Sequence, residues 1–235
     1  MPTPSSVKDN LARIQERITD AARRAGRRTE EITLIAVSKT HPPEAIREAF
    51  VAGVRHFGEN RVQEWEGKRG AIEDLQGSWH LIGHLQSNKG ARAAKLFHSV
   101  DSVDDFDLAQ RLNRAREEQG LSEKLRVLIE VRIEQELTKS GVEIPQLAEL
   151  MEKVAALPQL QMAGLLCIPP YLENIQHLRP YFCKLRELRD AVEKDLHIDL
   201  PVLSMGMSHD FEVAIEEGAT EVRVGTALFG SRPLK

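Results

Sequence analysis

The chain has 235 residues, 41% hydrophobic, 29% charged and 5% aromatic, and carries 15 Gly, 11 Pro and 2 Cys. Lys plus Arg total 32 against 36 for Asp plus Glu, a net charge of -4; so even a balance argues against a nucleic-acid or membrane binder. Disordered, collagenous and disulfide-knotted classes are excluded, and such a chain buries enough surface to fold without a metal. No apolar run approaches ~18 residues and the N-terminus lacks a signal-peptide core, so one soluble cytoplasmic domain over residues 1–235 is expected. Cys167 and Cys183 are too far apart for a C-x-x-C motif and are expected as free thiols.

In chain order, the first element is a helix. Val7, Leu11, Ile14, Ile18, Ala21 and Ala25 share one face behind a Ser5 or Ser6 cap. Short apolar runs then alternate with amphipathic stretches. The runs are Ile32–Val37, Arg55–Gly58, Trp79–Gly83, Leu96–Val100, Leu125–Ile133, Gln161–Ile168, Leu200–Leu203 and Thr220–Val224, eight strands in prediction. Among the intervening helices, Leu108, Leu112 and Ala115 share a face between Asp104 and Gly120, as do Leu178, Phe182, Leu185, Leu188 and Val192 after strand six. Eight strand–helix units predict a (β/α)8 TIM barrel, with a doubly wound open sheet as the alternative. Only eleven residues follow Val224, too few for a full last helix. The extra N-terminal helix is expected to cover the face left bare.

Lys39 closes the first run, where a lysine is out of place in a buried strand. It either snorkels into solvent or, partly desolvated at the C-terminal rim of a barrel, supplies a neutral amine for a Schiff base. Alternation alone leaves its direction open. Two Gly- and hydroxyl-containing clusters, Leu203-Ser204-Met205-Gly206-Met207-Ser208 directly after strand seven and Arg223-Val224-Gly225-Thr226-Ala227-Leu228-Phe229-Gly230 at the end of strand eight, stand where barrels often bind phosphate. Glu221, Arg223 and Gly225 share one face of strand eight. If that face points inward, Arg223 enters the barrel to meet phosphate or a ring nitrogen; otherwise it pairs with Glu221 or Glu59. Asn60, after strand two, either bonds a ligand or caps the next helix. His80 and His84 straddle a strand end, so no metal site is expected. No Ser-His-Asp spacing, P-loop or dinucleotide fingerprint is present. A lysine, a phosphate cradle and an arginine suit a phosphorylated aldehyde, either pyridoxal 5′-phosphate (PLP) or a sugar phosphate.

The stretches Leu34-Ile35-Ala36-Val37-Ser38-Lys39, Phe57-Gly58-Glu59-Asn60, Trp79 to Lys89, Leu203 to Ser208 and Val222 to Thr226 resemble the pyridoxal phosphate homeostasis protein family. The likeness runs from the first helix to Arg232, and several ordered motifs over that length are specific. The resemblance implies the barrel of the alanine racemase N-terminal domain (PLP fold type III). It implies Lys39 holding PLP as an internal aldimine and Ser204, Ser208, Gly225 and Thr226 around the phosphate. Arg223 would face the pyridine nitrogen and Asn60 the ring. An arginine there leaves the nitrogen unprotonated and the ring a poor electron sink. Arg132 stands where the family commonly has Asn, near Lys139-Ser140-Gly141, and Gly164-Leu165-Leu166-Cys167 varies a usual Met-containing stretch.

The function so implied is a non-catalytic, monomeric carrier of PLP and related B6 vitamers that supplies apo PLP-dependent enzymes, without nucleic-acid or membrane partners. The alternative is a PLP-dependent amino-acid racemase, which needs a second acid/base on the opposite face of the cofactor. Alanine racemases take a tyrosine from a partner subunit bearing an added domain. This chain has only Tyr171, after strand six, and Tyr181, within the next helix, and its length is expected to leave no room for such a domain. A class I aldolase is a third reading, should Lys39 engage sugar phosphates.

Overall fold

The computed structural model describes residues 6–120, 123–134 and 140–230. Helix α1 (Val7–Arg24) leads, capped by the Ser6 side chain, which accepts from the Asp9 amide. The strands follow as β1 (Thr33–Val37), β2 (His56–Glu59), β3 (Ser78–Leu81), β4 (Ser99–Val103), β5 (Leu125–Arg132), β6 (Val142–Glu143), β7 (Leu160–Leu166), β8 (Val202–Met207) and β9 (Glu221–Val224). Between and after them lie α2 (Pro43–Val51), α3 (Val62–Arg69), α4 (Gly90–Leu96), α5 (Phe106–Glu118), α6 (Ile144–Ala155), α7 (Arg179–Leu196), α8 (Phe211–Glu216) and α9 (Thr226–Phe229).

Every pairing is parallel, and the ring closes. β1 pairs with both β2 and β9, and β4 with β5, so β1-β2-β3-β4-β5-β7-β8-β9 form a closed eight-stranded barrel. The expected barrel is therefore present and the open sheet is not. The ninth strand, β6, is a two-residue addition beside the end of β5. Among the described residues no helix is long and apolar enough to cross a membrane.

The apolar core lies outside the ring. Ala36, Phe57, Val222 and Val224 point from the strands toward the helices and are completely buried, the arrangement expected when helices cover a parallel sheet. α1 packs against α8, α9 and α2, where the four-residue α9 leaves the barrel wall exposed. Arg17 and Arg24 bind Glu212 and Glu216 of α8, and Asn10 donates to the Leu228 carbonyl. The leading helix thus does what its apolar stripe predicted.

Two strand limits depart from the sequence reading for one physical reason. The fourth strand runs Ser99–Val103, not Leu96–Val100: Leu96 ends α4, while Ser99 and Asp101 are buried polar residues. The seventh barrel strand runs Val202–Met207, so Ser204, Met205 and Gly206 lie in β8 instead of in a loop after it. In both, polar or small residues continue the strand because the barrel interior is polar. Within it Glu221 binds Arg126, which reaches Asp101 at 3.4 Å; Asp101 binds His80 at 3.0 Å, and His80 meets His56 at 3.1 Å. Burial would raise the Asp101 carboxyl, but His80, Arg126 and Ser99 hold it below the usual range. Burial, with His80 and Arg126 beside it, pushes His56 down to about 4.

Candidate functional site

Parity along β1 fixes the direction of Lys39. A methyl added to Gly58 would lie 3.1 Å from Ile35 and 2.9 Å from Ile82, so these three positions meet inside the ring. Ile35, Val37 and Lys39 are alternate residues, and Lys39 lines a cavity at the C-terminal mouth of the barrel. Its Nζ lies 3.4 Å from Oδ1 of Asn60, which follows β2. The lysine turns inward.

A buried clamp holds that turn. Thr40 has φ +67°, a conformation that a β-branched residue seldom adopts. Its amide donates to Glu64 of α3. Lys68, one helical turn later and 7% exposed, donates to the carbonyls of Ser38 at 3.0 Å and His41 at 3.4 Å. The same ammonium pairs with Glu59 at 2.8 Å, and Ser38 Oγ donates to Glu59 at 2.6 Å. Burial pushes the Glu59 carboxyl up, opposed by Lys68 and Ser38. Residues on both sides of Lys39 are thereby tied to α3.

Arg223 enters from β9, the strand beside β1, where it stands in register with Ile35. It is 4% exposed, and Nη1 donates to Ser204 Oγ and Nη2 to the Cys167 carbonyl, both at 2.8 Å. Neither carboxylate considered for it is engaged: Glu221 binds Arg126 and Glu59 binds Lys68. The guanidinium therefore faces the cavity with no carboxylate partner among the described residues. Beside it, Ser208 Oγ accepts from the amides of Gly225 at 3.2 Å and Ala227 at 3.4 Å. Ser208, Gly225 and Thr226 thus form a wall of hydroxyls and backbone N–H groups.

The cavity enclosed by these groups has a volume of about 330 Å³, within the usual size of small-molecule sites. Of the seven residues proposed from sequence, six line it: Lys39, Asn60, Ser208, Arg223, Gly225 and Thr226. Ser204 does not. It is completely buried beneath Arg223, because β8 extends past it and points its hydroxyl at the guanidinium. Nor does Asn60 cap α3, whose N-cap is Arg61 without a side-chain bond.

Sequence reasoning missed several wall residues: His84, Glu130, Ser140, Ile168 and His209. Glu130 could have been found, since an acidic residue two positions after Leu128 in a buried strand is as anomalous as Lys39. Ser140 donates to its Oε1 at 2.9 Å, while Oε2 is buried without a partner. Burial raises this carboxyl, as does Asp104, against the pull of Ser140, Arg223 and His84. Lys139 lies outside the described residues, as does Arg232. Arg132 binds Glu143 of β6 and is absent from this cavity's wall. Of the two tyrosines, Tyr171 is 78% exposed and stacks on His209 at 5.1 Å, and Tyr181 lies in α7. Neither lines the cavity.

A wall of hydroxyls and backbone N–H groups, an inward lysine and an arginine at the strand ends are set on a barrel that matches the family of alanine racemase N-terminal domains over residues 10–233. A solved alanine racemase from Clostridium difficile 630 superposes with a TM-score of 0.75 at 14% identity. It covers 98% of this chain and 58% of its own, a likeness of fold alone. Closer relatives narrow the class. The pyridoxal phosphate homeostasis protein of Aquifex aeolicus is 49% identical over 95% of this chain and 97% of its own length, and that of Escherichia coli K12 is 42% identical over 97% of each. PipY of Synechococcus elongatus PCC7942, solved with PLP bound, has a TM-score of 0.84 at 37% identity over 96% of this chain and 100% of that one. The chain belongs to the pyridoxal phosphate homeostasis protein family.

Proposed function

We propose that this protein binds pyridoxal 5′-phosphate in the cavity at the barrel mouth and acts as a carrier that releases it to apo-enzymes, without substantial catalysis of its own. The observation that carries the reading is the convergence of Lys39, Arg223 and the Ser208–Gly225–Thr226 wall on one cavity. This donor set suits the group: an amine for the aldehyde, a guanidinium for the ring nitrogen, and hydroxyls with backbone N–H groups for the phosphate. When bound, PLP supplies a reactive aldehyde on an electron-withdrawing ring.

The chain's own residues define what can be done with it. Lys39 is the attachment point, oriented by Asn60 and by the clamped turn. Arg223 would donate toward the ring nitrogen without giving it a full proton, which limits the ring's capacity to hold negative charge. Ser204 and the Cys167 carbonyl hold Arg223 in place. Ser208, Gly225 and Thr226 would hold the phosphate oxygens with their hydroxyls and backbone N–H groups. The protein works as a monomer in the cytoplasm, accepts related B6 vitamers, and needs neither nucleic acid nor membrane.

Loading purified protein with PLP is expected to give the visible absorbance of a lysine-bound cofactor, abolished by Lys39→Ala; a band insensitive to that substitution would overturn the assignment. Mixing the loaded protein with an apo PLP-dependent enzyme restores that enzyme's activity if the carrier reading holds. The racemase reading is tested with L- and D-alanine. The two tyrosines lie off the cavity wall, so no interconversion at ordinary enzymatic rates, ~1–10³ per second, is expected.

A further inference from the structure

At the opposite end of the barrel lies a larger cavity, of about 460 Å³. Its wall is built from the C-terminal ends of α3, α4 and α5 and from the residues leading into β4 and β5. Four basic side chains line it, Arg69, Lys95, Arg116 and Lys124, together with His98; Glu123 is the one acid. None of the four cations forms an ion pair with a described carboxylate. Elsewhere on the surface arginines are mostly paired, as Arg17, Arg47, Arg111 and Arg179 are. The basic cavity is thus an exception to the way this chain places its charges.

Helix dipoles favour a cation at each helix C-terminus and account for Arg69, Lys95 and Arg116 taken singly. They do not account for Lys124, which precedes a strand, or for the state of Arg116. That side chain is 9% exposed. Its Nη1 donates to the Ala94 carbonyl at 3.3 Å and its Nη2 to the Glu123 carbonyl at 2.6 Å, while Nε is buried with no partner. A buried cation met only by carbonyl dipoles is costly unless an anion nearby balances its charge. His98 takes the Trp79 amide on Nδ1 at 3.1 Å, which leaves its proton on Nε2. A cavity of this volume exceeds what one inorganic ion fills and has the size of a small-molecule site.

We propose that this cavity is a second binding site, for a small phosphorylated metabolite whose clustered negative charge is held by Arg69, Lys95, Arg116 and Lys124. A phosphate ester carries ~-1.5 to -2 charge and several strong acceptor oxygens, matching four donors that lack carboxylates. The site is separate from the barrel mouth, and its existence does not depend on what the mouth binds.

Inorganic pyrophosphate is the probe. Calorimetry on the full-length, PLP-loaded protein, whose mouth is already occupied, should show one pyrophosphate bound per chain. The paired variant Lys95→Gln/Lys124→Gln, at two exposed positions, should weaken it about tenfold or more and leave the visible absorbance at the other end unchanged. Arg116→Met should weaken it further; where that variant fails to fold, the exposed pair still decides the matter. The His98 ring resonances should shift on titration. No pyrophosphate binding, binding unchanged in the Lys95/Lys124 variant, or equal competition by chloride at matched ionic strength would overturn the site. Binding of an acidic polypeptide that pyrophosphate does not displace would overturn it in favour of a protein-docking face.

Discussion

Replacing Lys68 by methionine removes one atom group with four jobs and leaves the shape of the helix intact. The lost ammonium bonds Glu59 at 2.8 Å, Glu64 at 3.1 Å and the carbonyls of Ser38 and His41. Glu59 is completely buried and its Oε2 is already without a partner, so the variant keeps a carboxylate supported only by the Ser38 hydroxyl. Breaking a buried pair in this way costs about 3–5 kcal/mol, or roughly 6–20 °C in Tm for a chain of this size. The pH dependence has a definite sign. Burial holds the Glu59 carboxyl above the usual range even with Lys68 present, and removing Lys68 raises it further. A raised carboxyl favours the fold below its unfolded value near ~4.3 and loses that contribution as pH rises. The penalty is therefore smallest near pH ~4 and largest at neutral pH. Urea unfolding of Lys68→Met and of Glu59→Leu/Lys68→Met tests this, because the double variant removes the stranded charge and should recover at least half the loss. Absorbance of the bound cofactor should also fall in the single variant as Lys39 loses its anchored turn. A single variant within about 1 kcal/mol of the parent at pH ~7, or a double variant no more stable than the single, would refute the reasoning.

Three further outcomes are expected. Gly83→Ala places a methyl 2.5 Å from the Asn60 carbonyl oxygen and 2.9 Å from its Cα; it should destabilise by about 1–3 kcal/mol and weaken PLP binding, whereas Gly67→Ala in α3, with open space around it, should do neither. In native protein a thiol reagent should modify Cys183 and spare Cys167, whose thiol is completely buried and pushed up to about 12; equal labelling rates would contradict the burial. His56, held down to about 4 when folded against ~6.5 unfolded, stays neutral in the fold. Its contribution is fully present above pH ~6.5 and is lost as pH falls toward 4, a slope that His56→Gln should flatten in acid titrations followed by circular dichroism.

The positions of Lys39 and Arg223 were legible because each is a charge in or just past an apolar strand, and at such places strand parity and barrel geometry do the rest. The alternation left the inward face undetermined until ring closure brought Ile35, Gly58 and Ile82 together. The extent of β4 and β8 was not legible. Apolar runs mark strands by what they turn toward the helices, and Asp101 and Ser204 turn inward to Arg126 and Arg223 instead. Lys68 was invisible for another reason. At helical spacing it reads as an ordinary solvated i,i+4 partner of Glu64, and only the packing of α3 on β2 shows that it is buried against Glu59.

The polar filling of the barrel bears on how the chain can be completed during synthesis. Arg126 of β5 is made early, and one of its two carboxylates, Asp101, precedes it in the chain. The other, Glu221, belongs to β9, the last of the eight barrel strands in chain order. Until β9 arrives, a seven-stranded sheet would hold a guanidinium aimed at an open seam and a β1 edge with no neighbour. The seam's final strand brings, in Glu221 and Arg223, both the missing counter-charge and the cavity's own cation. Closing the ring and finishing the pocket are accordingly a single event, and a nascent chain has no pocket to fill before it has a barrel.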